Sequence, residues 1–380
     1  MIVFDLIRRL MSWFGRGVQW RWELLSEKMA AAACPWAWRI GLGLRRIAKR
    51  RKLIVFLVPP ETFISGGILS IFNLYGCTRR MPHVHGAQVF LCYYPGSRPR
   101  HYKFVRFWNR AWVYPFEMLL DTCRPSSDLL LHLPEYAAEQ IVEGLGWDPL
   151  KVLSTTHRVR INVLNQNIDL MVSPEWMERL KLAVPNVTCT TAHPAYATQE
   201  NRSRWGVPVH LLPAWMPGFE KIKPMAYEKK RDLMIVSPDF SPHREAVLDA
   251  IRREHPQLEI RTIWNVKYED YLKLVRSAKW GLTFGEGMDA YFGNPFALGG
   301  VGFAVFNERF FTPEYRGLQT VYPDYPTMIA RIAADMRQLD GKRSFETYGA
   351  KIRAMSRQTW SPEHTRNALE AFYRGEYDFP

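Results

Sequence analysis

Short apolar runs that alternate with amphipathic stretches constrain this chain more than any other feature. LIVFLV at 53–58 is bounded by Pro59 and Pro60 and reads as a strand buried on both faces. Gly66 and Gly67 then precede Ile68, Leu69, Ile71, Phe72 and Leu74, which have helical character. Strand, glycine-containing loop and helix form the first unit of a Rossmann-like domain. Further strands are expected at 87–94, 128–134, 151–156, 160–167, 187–192 and 209–215, with helices at 134–146 and 174–184 between them. A linker containing Pro213, Pro217 and Pro224 follows. A second series then runs through strands at 231–238, 258–266, 279–287 and 301–307. Its first helix is expected at 241–256, capped by Ser241 with Pro242 in the first turn, and its second at 267–278. Helices at 325–337, 345–355 and 362–374 close the chain. The pattern predicts an α/β protein of two Rossmann-like domains facing a cleft, 53–215 and 216–345, with the helices of 346–380 packing back on the first.

The first 52 residues stand apart. They hold twelve Lys or Arg against three acids, so +9 of the chain's formal net charge of +14 lies there. Trp13, Trp20, Trp22, Trp36 and Trp38 share the stretch, and Ile2, Leu6, Leu10 and Trp13 fall at helical spacing. A basic, Trp-rich helical extension of this kind suits the surface of an anionic membrane, with each cation contributing about 1 kcal/mol. Packing on the protein itself is the alternative, and nucleic acid is the less expected partner. With no run of eighteen apolar residues, no spanning helix is expected. Five cysteines without CxxC spacing fit reduced thiols in the cytoplasm, so the expected location is cytoplasmic, peripheral to the inner membrane face.

The segment TFGEGMDAYFGNPFALGGVGFAVFN, 283–307, carries the sharpest chemical signal. Glu286 sits where a strand hands over to a helix, between Gly285 and Gly287. Glycines there let backbone amides approach an anion, and the following helix N-terminus adds partial positive charge. A carboxylate accepts two hydrogen bonds from a vicinal diol, as a ribose or hexose offers. Glycines for a diphosphate and a carboxylate for a sugar describe a nucleotide-sugar site. A solvated or helix-capping Glu in a plain glycine turn is the alternative.

The order of elements from Arg231 to Asn307 resembles the donor-binding half of GT-B glycosyltransferases. That resemblance covers the second domain well and the first in outline. It implies a glutamate near the transferred sugar, matched by Glu286, and a second on the nucleotide ribose eight positions on. Asn294 stands at that second position, leaving Asn294 or Asp289 to meet the ribose. It also implies basic residues at the first strand-to-helix turn of the second domain, where Arg244 and His243 are the phosphate candidates. Lys267 follows the next strand and could add to the same pocket. In the first domain, the resemblance implies that Gly66 and Gly67 bring backbone amides toward the donor phosphate or the acceptor.

A general base, if inversion needs one, could be Glu61, Asp121, His157, Asp169 or His193. Leu164–Asn167 offers amides suited to sugar hydroxyls. The basic, aromatic run at 93–112 suits a mobile acceptor loop or a second membrane contact, and a covered loop whose aromatics fill the core is the alternative. No DxD motif occurs, and His83 and His85, expected on one face of a strand, lack a third ligand, so no metal is expected. No cofactor is expected beyond the nucleotide sugar as co-substrate. The implied function is transfer of a sugar from a nucleotide-sugar donor to a lipid-linked or surface-polysaccharide acceptor. A nucleotide-sugar epimerase and a non-catalytic glycan- or RNA-binding protein are the alternatives.

Overall fold

The computed structural model describes residues 51–59, 66–94, 113–123, 127–143, 157–214, 222–264 and 266–380. The basic extension, the expected strand at 151–156, Glu61, the basic aromatic loop beyond Tyr94 and most of the linker lie outside the described residues.

The first half runs β1 (Lys52–Val58), α1 (Gly66–Arg79), α2 (Pro82–His85), β2 (Gln88–Tyr93), β3 (Tyr114–Pro115), α3 (Phe116–Thr122), β4 (Asp128–Pro134), α4 (Glu135–Glu143), β5 (Arg158–Asn165), α5 (Pro174–Ala183), β6 (Asn186–Thr191), α6 (Gln199–Trp205) and β7 (Val209–Leu211). The second half runs β8 (Arg231–Val236), α7 (Arg244–Glu254), β9 (Glu259–Thr262), α8 (Tyr268–Ser277), β10 (Ala278–Leu282), α9 (Ala290–Ala297), β11 (Val301–Val305), β12 (Val321–Tyr322), α10 (Tyr325–Leu339), α11 (Lys342–Thr359) and α12 (Pro362–Arg374). The first sheet is ordered β3-β2-β1-β4-β5-β6-β7 and the second β12-β11-β10-β8-β9. Every pairing within both sheets is parallel. That is why β1 and β8 are apolar on both faces, since helices cover each side of a parallel sheet.

Both orders reverse at one point, between β1 and β4 in the first sheet and between β8 and β10 in the second. Ligands of doubly wound sheets bind at such reversals, outside the carboxyl ends of the strands. Gly66 and Glu135 follow β1 and β4; Arg244 and Glu286 follow β8 and β10.

Local signals explain several helix starts. Ser173, Thr198, Asp324 and Ser361 cap α5, α6, α10 and α12, each accepting a backbone N–H from the first turn. Two expectations need correction. His83 and His85 lie on the one-turn helix α2, not on a strand, because Pro82 opens a turn closed by Gly86 at φ 64°. Ser241 does not cap a helix at 242: its hydroxyl accepts the His243 N–H at 3.2 Å inside a turn, and α7 begins at Arg244.

The last helix crosses back. α11 stays on the second half, packed on α9 and α10, whereas α12 packs on α1, α2 and β7. A buried polar network fixes it there. The Tyr373 hydroxyl lies 2.9 Å from Thr78 Oγ1 and 3.1 Å from His132 Nε2. His132 stacks on Phe56 at 4.3 Å, and its Nδ1 accepts from Asn162 Nδ2 at 3.1 Å, so Nε2 carries the proton. Burial holds this imidazole neutral, with its pKa down to about 3. Beyond the helix, Phe379 bridges to Val209 and Leu211 N–H donates to Asp378 at 2.7 Å.

Candidate functional site

The carboxyl ends of both sheets meet around Glu286. Its turn depends on glycine in a specific way. Gly287 has φ +95°, and a Cβ there would lie 2.6 Å from Phe311 and 2.9 Å from the Val305 carbonyl. The other glycines of the segment serve packing. A Cβ on Gly281 would meet Pro295 at 2.5 Å, and one on Gly302 the Phe292 carbonyl at 2.2 Å, so both let α9 press onto β10 and β11.

Glu286 is half-buried, and its Oε1 accepts from Asn167 Nδ2 at 2.6 Å. Asn167 follows β5 of the other half, so this bond spans the two sheets. Burial raises the Glu286 pKa, and the nearby carboxylates of Asp169 and Asp239 raise it further; the Asn167 bond opposes them. Asp169 pairs with Arg309, and Tyr196 donates to the Arg309 carbonyl at 3.1 Å, adding two more contacts between the halves. Carboxylates thus crowd Glu286, a setting that suits hydroxyl groups and opposes a phosphate at the same spot.

Arg244 provides the opposite setting close by in the fold. Its Nη1 donates to the Ser237 carbonyl at 2.7 Å and the Asp239 carbonyl at 3.1 Å, and its Nη2 to Thr262 Oγ1 at 2.8 Å. Its guanidinium lies 5.0 Å over the Phe284 ring. Three segments, at the ends of β8, β9 and β10, therefore hold one cation. Ser237 Oγ in turn accepts the Phe284 N–H at 2.9 Å, tying the Arg244 turn to the Glu286 turn. His243 is exposed and stacks on Tyr325 at 4.7 Å, while Tyr325 stacks on Phe284 at 6.2 Å. Lys267 is exposed at the start of α8.

Two sequence candidates, Asp289 and Asn294, are occupied otherwise. Asp289 caps α9: its Oδ1 accepts from Tyr291 N at 2.7 Å and Phe292 N at 3.1 Å, and Thr283 donates to its Oδ2. The first amides of the helix offered to an anion are thereby already filled. Burial lifts the Asp289 carboxyl to about 7 against the pull of these bonds. Asn294 is buried and donates to Tyr271 Oη at 2.9 Å, inside the second domain's core. Gly66 opens α1, and a Cβ there would meet nothing within 4 Å, so close packing in its own fold does not demand a glycine. Gly67, next to it, is half-buried in the first turn.

Of the general-base candidates, Asp169 is joined to the Glu286 surroundings. His193 caps a short turn through Nδ1, which accepts the Ala195 N–H at 3.2 Å. Sequence reasoning missed Glu135, which is 6% exposed and accepts from the backbone of the Asn167 turn. It also missed Phe240 and Trp264, which follow β8 and β9 and are 91% and 77% exposed. An aromatic set among the polar residues of SPDFSP is the one signal that could have marked Phe240. Among the described residues no cluster of His, Cys, Asp and Glu has the makings of a metal site, and no helix is long and apolar enough to cross a membrane.

No family model matches the chain, and no curated protein is similar to it in sequence. Solved structures similar to it include an α,α-trehalose 6-phosphate synthase from Burkholderia multivorans, at 11% identity over 86% of this chain and 97% of that one, with a TM-score of 0.48. HepE from Anabaena in complex with UDP shares 11% identity over 85% and 99%, with a TM-score of 0.49. An O-GlcNAc transferase from Thermobaculum terrenum shares 8% over 86% and 68%, with a TM-score of 0.48. This chain's own topology defines its fold. Two doubly wound parallel sheets meet at their carboxyl ends, and the final helix returns to the first, which is the GT-B arrangement.

Proposed function

We propose that this protein is a glycosyltransferase that moves a sugar from a nucleotide-sugar donor to an acceptor glycan. The observation that carries the reading is the pairing of two unlike groups at one topological reversal. Arg244 is a fixed cation, and Glu286, one strand over, is a carboxylate held by Asn167 from the opposite half. A diphosphate placed against Arg244 gains a charge-assisted contact as negative charge grows on the leaving group. The α7 N-terminus lies beside it with no side-chain cap, adding its dipole. A sugar attached to that diphosphate extends toward Glu286 and Asn167, where its hydroxyls meet an acceptor carboxylate and a donor amide. Lys267 supplies further positive charge at the rim, and the His243 ring stands next to Arg244 as a hydrogen-bonding partner for the donor. Closure of the two halves over the donor limits hydrolysis by excluding water.

The acceptor in this reading is a lipid-linked or surface-polysaccharide glycan at a membrane face. The basic, Trp-rich first 52 residues support it, as a segment suited to anionic lipid. Binding of the full chain to phosphatidylglycerol vesicles, reversed by salt, is the expected result; no binding removes this part alone.

The test of transfer is release of nucleoside diphosphate from UDP-, GDP-, ADP- and dTDP-glucose and their N-acetyl analogues. One nucleotide class should be consumed, and Glu286→Gln should lower turnover by about 100-fold. A protein that consumes none of them, while binding RNA in a salt-sensitive way, is not a transferase.

A further inference from the structure

We propose that Glu135 is a positioning residue for this site, holding the Gln166–Asn167 turn so that Asn167 reaches Glu286. Its two carboxylate oxygens divide the work. Oε2 accepts from Gln166 N and Oε1 from Asn167 N, each at 3.3 Å. Gln166 extends the hold on the other side, donating from Nε2 to the buried Ser70 Oγ of α1 at 2.9 Å. The turn is therefore gripped from the end of β4 and from the helix opened by Gly66 and Gly67. Asn167 is fixed internally as well, since its Oδ1 accepts the Asp169 N–H at 2.8 Å. That leaves its Nδ2 aimed at Glu286 Oε1, 2.6 Å away in the other half. One path of hydrogen bonds thus joins the β1–β4 reversal to the β10 turn.

Stability alone gives no reason for a carboxyl here. Burial lifts Glu135 to about 7, so at neutral pH the ionised group weakens the fold it sits in. A neutral glutamine would fill the same space without that cost, but with one acceptor oxygen in place of two. Two converging backbone N–H groups need two acceptors, which the ionised glutamate supplies and its protonated form, like glutamine, does not.

The kinetic arm rests on the transferase reading; the exchange arm does not. Five variants serve: Glu135→Gln, Glu135→Asp, Asn167→Ala, the double variant Glu135→Gln/Asn167→Ala, and Glu139→Gln on the exposed face of the same helix as a control. Amide hydrogen exchange is followed in 164–169 and 283–292. Glu135→Gln should speed exchange severalfold in both segments, Asn167→Ala chiefly in 283–292, and Glu139→Gln in neither. Glu135→Asp, which keeps the charge but draws it back by a methylene, should behave as Glu135→Gln does. On the consumed nucleotide sugar, Glu135→Gln should lower kcat about tenfold and leave donor KM within about twofold. The double variant should be no slower than Asn167→Ala, because both act through one contact. Faster exchange confined to 164–169, or losses in kcat that multiply, would overturn the proposal. If the wild type consumes no nucleotide sugar, the transferase reading falls and the exchange pattern alone decides the role of Glu135.

Discussion

Replacing Gly287 by alanine tests whether the Glu286 turn is built as described. The backbone there has φ +95°, where an L side chain costs about 1–2 kcal/mol. The added methyl would also stand 2.6 Å from Phe311 Cε2 and 2.9 Å from the Val305 carbonyl. Neither neighbour gives way easily. Phe311 is packed edge-on against Phe292 at 5.3 Å and stacked on Phe306 at 5.5 Å, and Val305 ends a core strand. Overpacking of this kind typically costs about 1–3 kcal/mol, so the sum is about 2–5 kcal/mol. Gly285→Ala is the matched comparison. Its methyl would lie 2.8 Å from Asp239 Oδ2, the end of a side chain that can swing away, and its φ is ordinary. Thermal unfolding followed by circular dichroism should show Gly287→Ala melting about 3–7 °C below wild type, with Gly285→Ala much closer to it. Equal melting points for Gly287→Ala and wild type, or the reverse order of the two variants, would refute the reasoning.

Two further outcomes follow from buried polar groups. Glu135 holds its proton up to about pH 7 when folded, against an ordinary value of 4.5, so its contribution is greatest below pH 4.5 and is lost as pH rises through 7. Glu135→Gln should therefore gain on wild type by up to about 3 kcal/mol between pH 4.5 and 8 in urea unfolding; parallel pH curves would contradict this. Tyr373→Phe removes the hydroxyl shared by Thr78 and His132 and should cost about 1–3 kcal/mol. Its signature is faster amide exchange through 362–380, and unchanged exchange there would show that the network does not hold the last helix.

Much of the fold was legible because its boundaries carry strong local chemistry. The strand at 128–134 is an apolar run, interrupted only by His132, that Asp128 opens and Pro134 ends, so its bounds are legible to the residue. Those of the helix at 362–374 are too, between a Ser-Pro start and Gly375 at φ 79°. The failures come from signals that mean two things. HVH alternates as a strand does, yet Pro82 and Gly86 close it into one helical turn. Ser-Pro at 241–242 is a helix-start signature, but here it builds a turn that delays α7 until Arg244 can reach the Ser237 carbonyl. Asp289 looked like a ligand for ribose because sequence does not show that it faces the amides of its own helix.

The site divides in the same way. The positions of Glu286 and Arg244 were legible, because each falls at a strand-to-helix turn and parallel sheets bring such turns to one edge. The Asn167 bond was not, since its partners are 119 residues apart and nothing local to either marks the other. Glu135 reads as an ordinary acid in a first helical turn, where the helix dipole favours it. Only tertiary packing turns its carboxylate onto the next strand's loop.

The central claim is that a nucleotide diphosphate sits against Arg244 with its sugar directed to Glu286. Calorimetric titration of UDP, GDP, ADP, CMP and dTDP into wild type, Arg244→Ala and Glu286→Gln tests it most directly. One nucleotide should bind wild type, bind Arg244→Ala at least about tenfold more weakly, and bind Glu286→Gln nearly as well, because Glu286 meets the sugar that the diphosphate lacks. Equal affinity in wild type and Arg244→Ala, or no binding of any of the five, would contradict the account.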